Sequence, residues 1–94
     1  MCIRDSDVVV LGVDGLTGQF GATTMHEGEA EVSRHFASVG RRVIVVADST
    51  KIEHATFARI CPLDRIDVLV TDRPVPPSFA ADLAAAGVEL VVAD

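Results

Sequence analysis

Four aspartates, Asp14, Asp48, Asp72 and Asp94, each close a run of small or β-branched apolar residues. Two of them open polar loops. Asp14 leads into Gly15 and a stretch, residues 14–24, with three glycines and three threonines. Asp48 leads into Ser49, Thr50 and Lys51, so that an acid, two hydroxyls and a cation fall within four residues. In open α/β sheets ligands bind outside the carboxyl ends of the strands, and parallel strands would open both carboxylates into one crevice. Acids placed there accept hydrogen bonds from the hydroxyls of a polyol or sugar. The same acids could equally hold a magnesium ion, and spacing alone does not choose. Lys51 would pair with a phosphate or carboxylate, or only solvate its loop. Glu29 falls in the first turn of an expected helix, where the dipole favours a carboxylate in any case. Asp72 and Asp94 read as turn and cap residues. His26, His35 and His54 are scattered, and Cys2 and Cys61 have neither metal-ligand spacing nor a disulfide framework.

The elements that must hold these groups follow from the hydrophobic pattern. Residues 43–47, Val-Ile-Val-Val-Ala, form a continuous apolar run without alternation, which predicts a parallel strand buried on both faces. Residues 7–13 predict a second such strand, residues 67–71 a third and residues 88–93 a last one. Residues 14–24 read as a loop. Thr24 and Glu27 have capping-box spacing ahead of a helix whose apolar face is Val32, Phe36 and Val39 and whose stop is Gly40. Residues 55–60 suggest a helical turn ended by Pro62. Pro76 and Pro77 suit a linker and a first helical turn, Phe79 and Leu83 share a face through Ala86, and Gly87 is the expected stop. Alternating strands and helices predict a parallel α/β fold.

At 94 residues the chain is one small domain or a piece of one. A formal charge of −6 and a pI near 4.8 argue against broad nucleic-acid contact. No run approaches the length of a membrane helix and no secretory leader is present, so a cytoplasmic location is expected. Residues 1–6, Met-Cys-Ile-Arg-Asp-Ser, resemble the translation of a mosaic-end adaptor used in transposase-based sequencing libraries, and are expected to be foreign to the fold.

Three segments in order, Leu11-Gly12-Val13-Asp14-Gly15, Gly28-Glu29-Ala30-Glu31-Val32 and Ala47-Asp48-Ser49-Thr50-Lys51, resemble the DeoR family of bacterial transcriptional regulators. Phe57-Ala58-Arg59-Ile60 and Ile66-Asp67-Val68-Leu69-Val70-Thr71-Asp72 continue the match. The resemblance implies that residues 7–94 are the C-terminal part of an effector-sensing domain, incomplete at its N-terminus. Its fold would be Rossmann-like, of the sugar isomerase/CoA transferase-like type and similar to ribose-5-phosphate isomerase. It also implies a repressor of carbohydrate metabolism with a phosphorylated sugar as effector and no cofactor. Operator DNA would be reached only through a winged helix outside this chain, in a homo-oligomer without a membrane partner. The ligand-binding residues implied are Asp14, Gly15, Glu29, Asp48 and Lys51. The isomerases, and the amino-sugar deaminases beside them, offer an enzymatic alternative. Against it, Leu11 stands where those enzymes carry a first Asp, Gly15 replaces an acid, and residues 19–25 hold no glycine-rich Lys loop, so binding without turnover is expected. After Lys51 the regulators usually continue with an aromatic residue and a glycine, whereas this chain has Ile52-Glu53-His54.

Overall fold

The computed structural model describes residues 8–93. The segment 1–6, Asp7 at the head of the first expected strand, and Asp94 lie outside them. The frame is a four-stranded parallel sheet built from β1 (Val8–Gly12), β4 (Arg42–Val46), β6 (Val68–Thr71) and β7 (Glu89–Val92), in that spatial order. All four strands expected from the apolar runs are therefore present.

The three connections carry the rest. Between β1 and β4 lie β2 (Gly15–Thr17), β3 (Gly21–Thr24) and α1 (Glu27–Val39). Between β4 and β6 lie β5 (Ala58–Cys61) and two short 3-10 turns, Ser49–Lys51 and Leu63–Arg65. The helix α2 (Pro77–Ala86) joins β6 to β7. Successive strands step across the sheet in one direction, and right-handed crossovers then place every connection on the same face. The core agrees. Val9, Leu11, Val43, Val45 and Leu69 form one cluster with Leu16, Ala22 and Ile60 of the small strands and with Phe79 and Leu83 of α2. Burying each such side chain contributes roughly 1.5–3 kcal/mol.

Two expectations need correction here. Residues 14–24 are not a loop but the antiparallel pair β2 and β3, and residues 58–61 are a strand, not part of a helical turn. β3 pairs with β5 to complete a three-stranded sheet, β2-β3-β5. Its central strand, Gly-Ala-Thr-Thr, is buried at every position and so shows no alternation. The expectation of burial on both faces also fails. Val46 on the opposite face of the parallel sheet is 46% exposed, because no connection crosses that side.

Of the two helices, α2 follows its sequence signals. Pro77 occupies the first turn, Phe79 and Leu83 are buried, and Gly87 ends the helix in the left-handed conformation. α1 does not. Its buried residues are Ala30 and Ala37, while Val32 and Val39 are exposed and Phe36 is partly buried. The helix lies on β5, and small side chains let the two backbones approach. Between those alanines Arg34 donates to the Arg59 carbonyl of β5 and pairs with Glu27 at 2.7 Å. The N-cap position is His26 with no side-chain cap, so Thr24 and Glu27 do not form the expected capping box.

Gly21 makes the hairpin feasible. Its φ is +72°, and a Cβ there would lie 2.1 Å from the Cys61 carbonyl oxygen and 2.7 Å from Pro62 Cα. Both obstacles are backbone, which cannot rotate away. Gly21→Ala is expected to lower stability by upwards of about 2 kcal/mol. Urea denaturation checks this, and an unchanged midpoint would mean that β3 and β5 are not held in this register.

Candidate functional site

Because β1, β4 and β6 are parallel, their carboxyl ends share one edge, and Asp14, Asp48 and Asp72 follow them there. Asp14 joins both sheets to the start of α1. Its backbone N–H donates to the Thr23 carbonyl at 2.9 Å. Its Oδ2 accepts from the Thr24 hydroxyl at 2.8 Å and from the Met25 N–H at 2.9 Å. No described donor reaches Oδ1. The Met25 N–H and then the Thr24 hydroxyl hold the Asp14 carboxyl below its usual range, against a partial opposition from burial, and the charges of Lys51 and His26 add to the lowering.

Thr24 is buried and its hydroxyl also lies 3.4 Å from Glu29 Oε1. The same hydroxyl thus stands between the carboxylates of Asp14 and Glu29. The capping box fails because Thr24 lies in β3, two residues before the N-cap position His26, where its hydroxyl donates to Asp14. Glu29 itself is exposed in the first turn of α1, near the positive end of the helix dipole.

The β4 loop forms the other side. Asp48 caps the turn Ser49–Lys51, accepting from the Thr50 N–H at 3.0 Å and from the Thr50 hydroxyl. The Thr50 hydroxyl is the main cause of the lowered pKa of Asp48. Asp72 Oδ1 accepts the Ser49 N–H at 2.8 Å, so the acid after β6 fixes the loop after β4. Lys51 is half-buried, and its charge lowers the pKa of both Asp14 and Asp48.

The structure thus joins Asp14 and Glu29 through Thr24, and brings Lys51 into the field of Asp14 and Asp48. Gly15 is placed differently. It is buried within β2, where a Cβ would meet the His54 carbonyl oxygen at 2.3 Å and the Thr23 hydroxyl at 2.7 Å. Its role is close packing of the loop against β2. Sequence reasoning missed Thr24 and Thr23, whose hydroxyl accepts the Thr56 N–H at 3.0 Å, and it gave Asp72 only a local turn role. The signal for the threonines was their count between two acids. Among the described residues no group of three His, Cys, Asp or Glu is placed to hold a metal ion. A larger concavity of about 410 Å³ lies elsewhere, between Gly18 and Gln19 of the hairpin tip and Asp82 of α2.

The arrangement supplies carboxylate acceptors with the ammonium of Lys51 within electrostatic reach, a set suited to a hydroxylated anion. The family model for the DeoR C terminal sensor domain matches residues 4–73. The chain belongs to that family. A protein named as transcriptional repressor of the aga operon in Escherichia coli O157:H7 is 35% identical over 92% of this chain and 32% of its own length. The HTH-type transcriptional repressor GlcR of Bacillus subtilis strain 168 is 34% identical over 94% of the chain and 34% of its own length. The HTH-type transcriptional regulator GlpR of Haloferax volcanii is 29% identical over 90% and 33% respectively. The chain therefore spans about a third of the length of these regulators. No helix in the described residues is long and apolar enough to cross a membrane.

The backbone at Glu53, within the segment Ile52-Glu53-His54, is also unusual. Glu53 has φ +63°, a left-handed backbone, and its N–H donates to the Leu16 carbonyl at 2.7 Å. A side chain in this region costs about 1–2 kcal/mol, here with only a 3.4 Å hydrogen bond from the Ser78 hydroxyl to the Glu53 carboxylate in return. Glu53→Gly is expected to raise stability by about 1 kcal/mol, read as a higher denaturant midpoint. A lower midpoint would show that the Ser78 contact outweighs the strain.

Asp14→Asn is expected to cost about 1 kcal/mol at neutral pH through weaker acceptance from Thr24 and Met25. Since the folded carboxyl titrates below its ordinary 3.8, its contribution is complete above that value and is lost as pH falls through the lower folded value. Urea melts of both proteins should differ at about pH 7 and converge only as the pH falls below the depressed folded value of the Asp14 carboxyl. A gap that stays constant with pH would contradict this account of Asp14.

Proposed function

We propose that this chain is the effector-binding part of a DeoR-type transcriptional repressor, and that its effector is a phosphorylated sugar. The observation that carries the reading is the cluster Asp14–Thr24–Glu29 with the charge of Lys51 acting on Asp14: acceptors for sugar hydroxyls lie near a cation suited to a phosphate. Asp14, Glu29 and Lys51 contact the ligand, while Asp48 and Asp72 shape the loop that presents Lys51. Gly15 serves by keeping that loop against β2.

The chain binds without turning its ligand over. Leu11, which replaces the first acid of the isomerases, is a core residue and offers nothing to a substrate, and the relatives are named as regulators. Isomerisation needs a placed base and stabilisation of an enediolate, and an acceptor set with one ammonium supplies recognition only. Residues 7–94 are the C-terminal part of the sensor, preceded by a short adaptor-like segment whose last three residues the family match also takes in. Operator DNA is bound by a separate helix-turn-helix segment in a cytoplasmic homo-oligomer. The effector acts through its different affinities for the DNA-binding and released states.

The protein to test is the complete reading frame, obtained by resequencing the source DNA across codon 7. With wild-type protein, at least one sugar phosphate should change operator affinity while its unphosphorylated sugar does not. Lys51→Ala and Asp14→Ala should each weaken the effector response about tenfold or more and leave effector-free operator binding intact. An unchanged response in both variants would overturn the site, and turnover of an aldose phosphate abolished by Glu29→Gln would overturn the non-enzymatic reading.

A further inference from the structure

Helix α1 spends one side on the core and leaves an apolar stripe on the other. Ala30 and Ala37 mark the buried side. Gly28, Val32, His35 and Val39, spaced i, i+4, i+7 and i+11, share the opposite side. Val32 and Val39 are 55% and 47% exposed there, and Phe36 is only partly buried. The register Thr24↔Ala58 brings Met25 and Phe57, 60% and 80% exposed, to the end of the small sheet from which this helix starts. Contiguous exposed apolar residues of this kind mark an interaction surface. Gly28 adds an independent sign. Glycine weakens a helix relative to alanine, yet Gly28 has no positive φ and nothing within 4 Å of the place its Cβ would occupy. Among the described residues, then, nothing requires a glycine at this position. A second backbone passing close outside it does.

We propose that this side of α1 is a two-fold interface between two copies of the chain, with their α1 helices antiparallel. The order of charges selects both the partner and the direction. Glu27, Glu29 and Glu31 occupy the N-terminal half of the helix, whereas His35 lies in the C-terminal half and Arg41 just beyond Gly40, both exposed. When two such helices pair antiparallel about a point near residue 34, Val32 of one copy meets Phe36 of the other. Gly28 and Glu29 then meet the end formed by Val39, Gly40 and Arg41. Acids face a cation, and the two helix dipoles oppose each other. Parallel pairing would instead set Glu29 beside Glu29 and Glu31 beside Glu31. The chain carries a formal charge of −6, so most approaches of a second copy bring like charges together. Here the surface is its own complement, which is the property a two-fold contact demands. An unrelated partner, or another segment of the same regulator, has no need of that self-complementarity. The inference rests on the helix face alone and does not depend on the identity of the effector.

The test uses the full-length regulator carrying Val32→Cys, with a photo-crosslinker attached at the new thiol, in a mixture of isotopically light and heavy chains allowed to exchange. The expected result is cross-links between light and heavy chains, from position 32 of one copy to residues 32–40 of the other. The same label at Ala81→Cys, exposed on α2, should give none. Adding Val39→Glu, which sets a third acid against Glu29 of the other copy at an already exposed position, should reduce the cross-links by about tenfold or more, with helix content by circular dichroism unchanged. Absence of light–heavy cross-links from position 32 would overturn the proposal. Cross-links confined to the same chain, at residues upstream of position 8, would overturn it in favour of an internal cover. Cross-links undiminished by Val39→Glu would overturn the antiparallel pairing. Loss of effector response with the cross-links retained would count against the ligand site and leave this inference standing.

Discussion

The carboxylate of Asp14 is the constraint on which the rest of the arrangement depends. β1 ends beside it, and the chain must then leave the parallel sheet, form a hairpin and return as a helix. The N–H of Asp14 closes on the Thr23 carbonyl, and Oδ2 gathers the Thr24 hydroxyl and the Met25 N–H. One residue therefore joins the end of β1 to the end of β3 and to the approach to α1. Hydrogen bonds to a charged acceptor contribute about 1.5–3 kcal/mol each, enough to fix a local path in a domain of this size. Depression of its pKa is the electrostatic expression of that fixing.

A second tie acts from the other loop. Asp72, two strands away in the chain but adjacent in the sheet, accepts the Ser49 N–H, while Asp48 accepts from Thr50. The turn that carries Lys51 is thus held by acids from two strands, and its far end is held to β2 by the bond from Glu53 to Leu16. These contacts make Lys51 a group of fixed position without binding its ammonium outright. The strain at Glu53 is the cost of taking the chain back onto β2, where Gly15 leaves room for the His54 carbonyl. A charged group held in place before its ligand arrives loses less freedom on binding than one on a loose loop.

How much of this was legible in the sequence follows from where each signal resides. Parallel strands announce themselves because buried β-branched runs have no polar interruption, so β1, β4, β6 and β7 were found from Val8-Val9-Val10-Leu11 and its counterparts. α2 was found because Pro77, the Phe79–Leu83 pair and Gly87 state the same boundaries independently. The small sheet was not. Gly21-Ala22-Thr23-Thr24 has loop composition, and its strand character comes from pairing with Ala58–Cys61, a partner distant in sequence. α1 was found with the wrong face, because larger valines were read as buried where Ala30 and Ala37 make the contact. At the site, acids and Lys51 were visible as residue types on strand ends. Thr24 was not, since a threonine three residues before a Glu at a helix start reads as a cap until its hydroxyl is seen to serve Asp14.

The one-sided core connects these points. Every connection lies on one face because the strands advance in one sense, and the small sheet exists because that face must be filled by short segments between successive strands. The buried threonines of β3 are the price of filling it with backbone-rich pieces: their hydroxyls need partners, and Asp14 and the Thr56 N–H provide them. The acid that satisfies Thr24 is also the acid nearest the crevice. Site and core are therefore not separate achievements of the sequence, since the hydrogen bond that makes Thr24 tolerable in the interior is the one that aims Asp14 and brings Glu29 beside it.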